Sequence, residues 1–241
     1  MINIFFKELN SFLSSLIAYV VIAVFLLAIG LFTWVFPETN VIDYGYADMS
    51  TLFNMGPFIF MFLIPAITMK MFSEEYKTGT IETLLSRPIS TIEIVLGKFI
   101  SGVLLVIFAI IPTIVFYFSI SYLANPVGNI DTAGIIGSYV GLILLGMVFT
   151  AIGIFSSSLT DNQVVAFILG TFLCFILFAG LGSMATINVW SSLSLALTYI
   201  GLESHYISLG KGLLDSRDII YLLASSGLFI YFTTLIVDRR R

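Results

Sequence analysis

Residues 72–98 read FSEEYKTGTIETLLSRPISTIEIVLGK, a polar stretch set between two long apolar runs. It carries Glu74, Glu75, Lys77, Glu82, Arg87, Glu93 and Lys98. Charged groups are costly in hydrocarbon and every backbone polar group there needs a partner, so residues 73–94 are expected as an aqueous elbow between two membrane spans. Local signals give the elbow structure. Thr78 or Thr80 offers an N-cap oxygen, Glu82 puts negative charge where a helix dipole favours it, and Ile81, Leu84 and Leu85 form a narrow apolar face at i, i+3, i+4. Pro88 pushes the residue before it out of the α region, so Arg87 is the last helical position of this short helix. Ser90-Thr91-Ile92-Glu93 has capping-box spacing, with Ile89 and Ile94 placed as a hydrophobic staple, and opens a second helix.

Around the elbow the chain is apolar. Of 241 residues 59% are hydrophobic and 10% charged, with a mean hydropathy of +1.09, whereas soluble domains carry roughly 25% charged residues. The reading is an all-α integral membrane protein, a single transmembrane domain over 1–241, with six spans at residues 16–36, 51–72, 95–123, 132–158, 164–187 and 219–237. No separate soluble domain is expected. The single cysteine, Cys174, allows no disulfide within the chain.

Residues 1–15 place Ile2, Phe5, Phe6, Leu9, Phe12 and Leu13 on one face and Asn3, Lys7, Glu8, Asn10 and Ser14 on the other, the pattern of an amphipathic interfacial helix, or alternatively the start of a long first span. The first apolar run is too long for a signal-peptide core, so cleavage is not expected. Trp34 anchors its far end. Ser50 is expected to cap the second span, in which Pro57 and Pro65 predict kinks; Pro112 interrupts the third. Ala133, Gly137 and Gly141, at four-residue steps, let the fourth span approach another helix closely, within the chain or across a dimer. Thr160 to Gln163 has capping-box spacing before the fifth span. Residues 188–216 read as short interfacial or re-entrant helices on the outer side, with Asp215 or Ser216 capping the last span.

Six spans put both termini and the elbow on one side, together with Lys7, Lys70, Lys77, Arg87, Lys98 and Arg239 to Arg241; only Lys211 and Arg217 fall opposite. The positive-inside rule makes the elbow side cytoplasmic. The chain also excludes chemistry. No span holds an ionisable residue at its centre, so coupling to protons or sodium is not expected. One histidine and one cysteine make a zinc site improbable, Glu74-Glu75 lacks the arginine and histidines of CAAX-type proteases, and no phosphate-binding G-x-x-x-x-G-K-[ST] loop is present. The chain is therefore not expected to be an enzyme. Any energy must come from a partner.

Residues 72–90, through Glu74, Gly79, Thr80, Glu82, Leu84, Leu85 and Pro88, resemble the corresponding stretch of ABC-transporter permeases of the second exporter class. His205-Tyr206-Ile207-Ser208 through Gly212 and Asp215-Ser216-Arg217-Asp218 resemble the outer segment before their last span. Within that class the likeness is to the gliding-motility-associated permeases of the GldF kind. The resemblance implies a cytoplasmic coupling helix at Thr80–Arg87 pressed into a groove of a separate ATPase, with Glu74, Glu75, Lys77, Gly79, Thr80, Ile81, Glu82, Leu84, Leu85, Arg87 and Pro88 as the coupling set. It also implies two ATPase copies that bind ATP and Mg, a second permease subunit of the same or a different chain, and residence in the cell inner membrane. Membrane lipid is expected as a partner and nucleic acid is not. Tyr76 stands where many relatives carry a basic residue. Two roles follow: the membrane subunit of an ATP-driven exporter, or a non-transporting scaffold that uses the same ATPase on a motility or secretion machine. His205 is expected to hydrogen-bond within the outer segment, and the uncharged, aromatic-rich spans leave the cargo open.

Overall fold

The computed structural model describes residues 1–86, 88–185, 194–211 and 215–240, and all side chains among them except those of Tyr44 and Leu85. Arg87, Arg241 and the parts of the outer segment at 186–193 and 212–214 lie outside the described residues. Among the described residues the chain is helical with no strand. Six helical stretches are long and apolar enough to cross a membrane: Leu16–Trp34, Ser50–Thr78, Thr91–Leu123, Thr132–Leu159, Gln163–Ala185 and Ser216–Arg239.

The elements run as follows: α1 Ile2–Leu13, α2 Leu16–Trp34, α3 Val41–Tyr44, α4 Ser50–Thr68, α5 Lys70–Thr78, α6 Thr80–Leu85 and α7 Thr91–Ile110. A 3₁₀ turn, Ile111–Thr113, holds Pro112 and joins α7 to α8 Ile114–Leu123. Then come α9 Thr132–Leu159, α10 Gln163–Phe175, a π turn Ile176–Gly180, α11 Leu181–Ala185, α12 Ser194–Ile200, α13 Leu202–Leu209 and α14 Ser216–Arg239. The irregular turn at Pro112 follows from its missing N–H, which removes one rung of the helix ladder.

Helix α9 is the axle. Its most apolar stretch is 67% buried, against 17% for α14, and it packs against α4, α7, α10, α13 and α14. Leu142, Leu145, Val148, Phe149 and Ile152 on it are fully enclosed, with Phe60, Cys174 and Phe178 around them. The outward faces of α2, α8, α10 and α14 remain apolar and exposed, as lipid-facing surfaces require. Ala133 is exposed, while Gly137 and Gly141 are buried. Gly141 lies against α13, where an added Cβ would meet the Tyr206 ring at 3.3 Å, so that close approach is used within the chain.

Several caps are resolved. Asp215 accepts from the Arg217 N–H at 2.8 Å, so the aspartate starts α14 and Ser216 is its first residue. Ser90 and Glu93 form the expected capping box on α7. Two expectations are corrected. Ser50 does not cap the second span: Asp48 accepts from both its N–H at 3.2 Å and its hydroxyl at 2.9 Å, a carboxylate being the stronger acceptor. Before α10 the cap is Asn162, which accepts from Val164 at 2.9 Å, while Thr160 accepts only from Asn162.

Candidate functional site

The elbow is built as an extension of the second span rather than as a separate loop. Helix α4 yields to α5 at Met69, four residues after Pro65. Because a helix start leaves its first N–H groups unpaired, the break needs outside partners. Ser157 of α9 supplies them: its hydroxyl accepts from the N–H of Phe72 at 3.0 Å and of Ser73 at 3.1 Å and donates to the Met69 carbonyl at 2.7 Å. One hydroxyl thus uses its single donor and both lone pairs to fasten α5 to the axle.

Gly79 then turns the chain. At φ +70° it is the C-cap of α5 and the N-cap of α6 together, and its N–H donates to the Tyr76 carbonyl at 3.2 Å. This corrects the expected threonine cap. Thr78 instead donates to the Glu74 carbonyl at 2.8 Å and sits 3.0 Å from the Thr80 hydroxyl, because the left-handed turn already reverses the chain. Ile81 is buried and Leu84 half-buried, packed with Ile94, Val95 and Phe99 of α7. Glu74, Lys77, Gly79, Thr80, Glu82 and Pro88 face outward. The side chain of Leu85 and the whole of Arg87 lie outside the described residues. The remaining coupling residues therefore divide into an anchored face and a free tip.

Beneath the tip is a closed ionic cluster that sequence reasoning missed. Lys98 of α7 is fully buried. Its ammonium lies 2.8 Å from Glu8 of α1, 2.9 Å from Glu75 of α5 and 2.7 Å from the Met71 carbonyl. It donates hydrogen bonds to Glu8 and to the Met71 carbonyl, and Glu75 adds a second ion pair. The Phe72 ring, 5.0 Å away, covers it. Lys7 completes the cluster at the rim, 2.9 Å from Glu75 and 3.3 Å from Glu8. Burial alone would raise the Glu8 carboxyl, but Lys98 and Lys7 hold it below the ordinary carboxylate range. Burial likewise opposes the charge on Lys7, yet Glu75 and Glu8 raise it above its ordinary value.

Helix α1 turns residues from both of its sequence faces toward the protein. Ile4, Glu8 and Phe12 are buried, while Ile2, Phe6 and Leu13 stay exposed. Glu8 leaves the polar face because Lys98 needs a counter-charge inside. The signal that points to it is a lone lysine within an otherwise apolar helical run, which demands acidic partners from elsewhere. No such signal marks Ser157.

The C-terminal end meets the same hub. Arg240 lies over the Tyr76 ring at 4.3 Å and donates to the Leu159 carbonyl at 2.8 Å, closing the end of α9. Lys70 lies over Phe12 at 5.1 Å. A cleft of about 520 Å³ runs between α1 and the elbow, lined by Lys7, Glu8, Glu74, Glu75 and Thr80 among others. These contacts bring the elbow, α1, the end of α9 and the C-terminal end to one face of the molecule.

The outer segment forms a second group at the opposite end. His205 lies 2.6 Å from Asp218 and 2.9 Å from the Tyr199 carbonyl, stacked on Tyr221 at 3.9 Å between ring centres. Tyr206 donates to the Phe53 carbonyl at 2.7 Å, and burial raises its phenol well above the ordinary value. Arg217 is exposed and takes no part in this group beyond its backbone bond to Asp215. His205 and Tyr206 tie α13 to α14 and α4, a structural role.

A search among curated proteins finds no match. The family model described as "ABC-2 family transporter protein" matches residues 2–214, which takes in α1 to α13 and the whole elbow. An apolar chain with six membrane-length helical stretches among its described residues, an anchored elbow and this family match over most of its length has one classification: the protein belongs to the ABC-2 family, as a multi-pass membrane permease of an ABC transporter.

Proposed function

We propose that the chain is the permease subunit of an ATP-driven exporter and that the tip of the elbow, α6 with Glu74, Lys77, Gly79 and the following turn, is where an ABC ATPase seats. The observation that carries this reading is the contrast within the elbow. Its root is pinned to α7 and α9, whereas Thr80, Glu82 and Thr83 stand exposed on the short helix α6 and Ser86 at its C-cap. A rigid projection of this kind passes displacement into the spans and needs no fuel-sensing group of its own. ATP and Mg are bound in the ATPase, which is expected in two copies beside two permease subunits. The basic residues at the elbow end support a cytoplasmic placement in the inner membrane, with both termini inside. The likeness of the elbow and outer segment to GldF-type permeases supports a place in a gliding-motility-associated system.

The test is co-purification from native membranes, with ATP turnover of the complex. Glu82→Lys reverses the exposed charge of α6 and leaves the anchored face untouched. ATPase loss or loss of permease-dependent turnover supports the assignment, and unchanged recovery and turnover overturn it. Movement of lipid or polymer into sealed vesicles by the wild-type complex separates an exporter from a membrane scaffold that uses the same ATPase.

A further inference from the structure

We infer that Lys98 latches the interfacial helix α1 to the root of the elbow, so that α1, α5 and α6 move as one lever. The inference rests on the ATPase seating at α6 proposed above and adds a second arm to the element that receives it.

The three oxygens around the Lys98 ammonium come from two elements that flank α7 in space, Glu8 on α1 and Glu75 with the Met71 carbonyl on α5. A buried ammonium is tolerated only while it is paired, so the site is complete only when both helices are seated. The backbone geometry agrees. Beside Lys98, Gly97 leaves room for Ile4, whose side chain an added Cβ would meet at 3.1 Å. Ile4 and Glu8, one turn apart on α1, therefore dock on two consecutive residues of α7. Lys7 links Glu8 to Glu75 across the rim. Two lysines and two carboxylates close the cluster with no net charge, leaving no spare charge for an ion cargo.

The remaining face of α1 carries Ile2, Phe6 and Leu13, all exposed and apolar. That face suits the hydrocarbon boundary of the membrane. Displacement of α6 thus reaches the lipid surface through α1 as well as the spans through α7. Lys98 is a positioning residue in this scheme, since it touches neither nucleotide nor ATPase.

The experiment measures whether α1 follows the elbow. Spin labels at Ser14→Cys, at the exposed end of α1, and Thr83→Cys, on α6, report their separation in the ATPase complex, with the native Cys174 buried and silent. With Lys98 or Arg at position 98, the distance distribution is narrow and does not shift between nucleotide-free and ATP-trapped states. Lys98→Met broadens it and makes it nucleotide-dependent. Glu8→Gln, which spares the Lys98–Glu75 pair and removes the ion pair of α1 with Lys98, does the same where Lys98→Met fails to fold. A distribution that stays narrow in Glu8→Gln, or that shifts with nucleotide in the wild type, overturns the latch. Cross-linking of Thr83→Cys to the ATPase reads the seating separately: its absence removes the seating assignment, whereas its presence with a rigid α1 in Glu8→Gln removes the latch alone.

Discussion

Lys98 sets the terms at the scale of single residues. A lysine buried inside a membrane protein is stable only with its charge compensated, and breaking such a pair costs about 3–5 kcal/mol, because the partners stay buried and uncompensated. Lys98→Met is therefore expected to lower the melting temperature in detergent sharply, as Glu8 and Glu75 lose their buried partner and keep only Lys7 at the rim. Lys7→Met removes only a rim contact, for which roughly 0–1 kcal/mol is expected. Equal losses in the two variants would contradict the assignment of Lys98 as the hub. The pH dependence follows from Glu8, whose folded value lies below its ordinary 4.5. A lowered carboxylate stabilises the fold above the unfolded value and loses that contribution as pH falls through the folded one. Stability should thus hold from neutral pH to about 4.5 and decline below it, and Glu8→Gln should flatten that decline. Melting curves over this range decide it. Glu8 also shows where sequence reading stops: periodicity assigns it to the polar face of α1, and only a charge 90 positions away turns it inward.

Among the elements, the elbow divides what local sequence determines from what it does not. Helix α6, the Ser90–Glu93 box and the inward Ile81 were readable, since each depends on neighbours within four positions, whereas α5 carries the second span on past residue 72, where sequence reading ends it. The threonine cap was misplaced because both threonines carry suitable oxygens, and the choice falls to Gly79, the residue able to take φ +70° at least cost. Gly79→Ala is expected to destabilise by about 1–2 kcal/mol, with Gly79→Asn milder, since asparagine tolerates this region. A melting temperature unchanged in Gly79→Ala would mean that the turn is not held left-handed. Ser157 had no local mark at all, because the N–H groups it receives lie 84 and 85 positions away. Ser157→Ala leaves those two N–H groups without this acceptor, while the Met69 carbonyl keeps the Ser73 hydroxyl, at a cost of about 1–3 kcal/mol for a buried unsatisfied group. Faster hydrogen exchange confined to α5 is the expected signature, and protection equal to wild type would show that another group takes over.

For the whole molecule, number and type of spans followed from composition and run length alone, since a bilayer fixes both. Which helix would be central did not, because α9 and α14 are similarly apolar in sequence and differ in how many neighbours surround them. The two ends differ in character. The elbow end gathers eight of the ten basic residues, and the far end keeps seven acidic residues against Lys211 and Arg217. That asymmetry fixes the proposed orientation, and the position of the tip relative to the membrane carries every functional statement made from it. Thr83→Cys, on the exposed side of α6, measures that position, with Cys174 buried and out of reach. Labelling with an impermeant thiol reagent is predicted to fail in sealed right-side-out vesicles and to succeed in inverted ones, where the bound ATPase protects the site. Labelling from the outside, or full reactivity in inverted vesicles with the ATPase bound, would contradict the account.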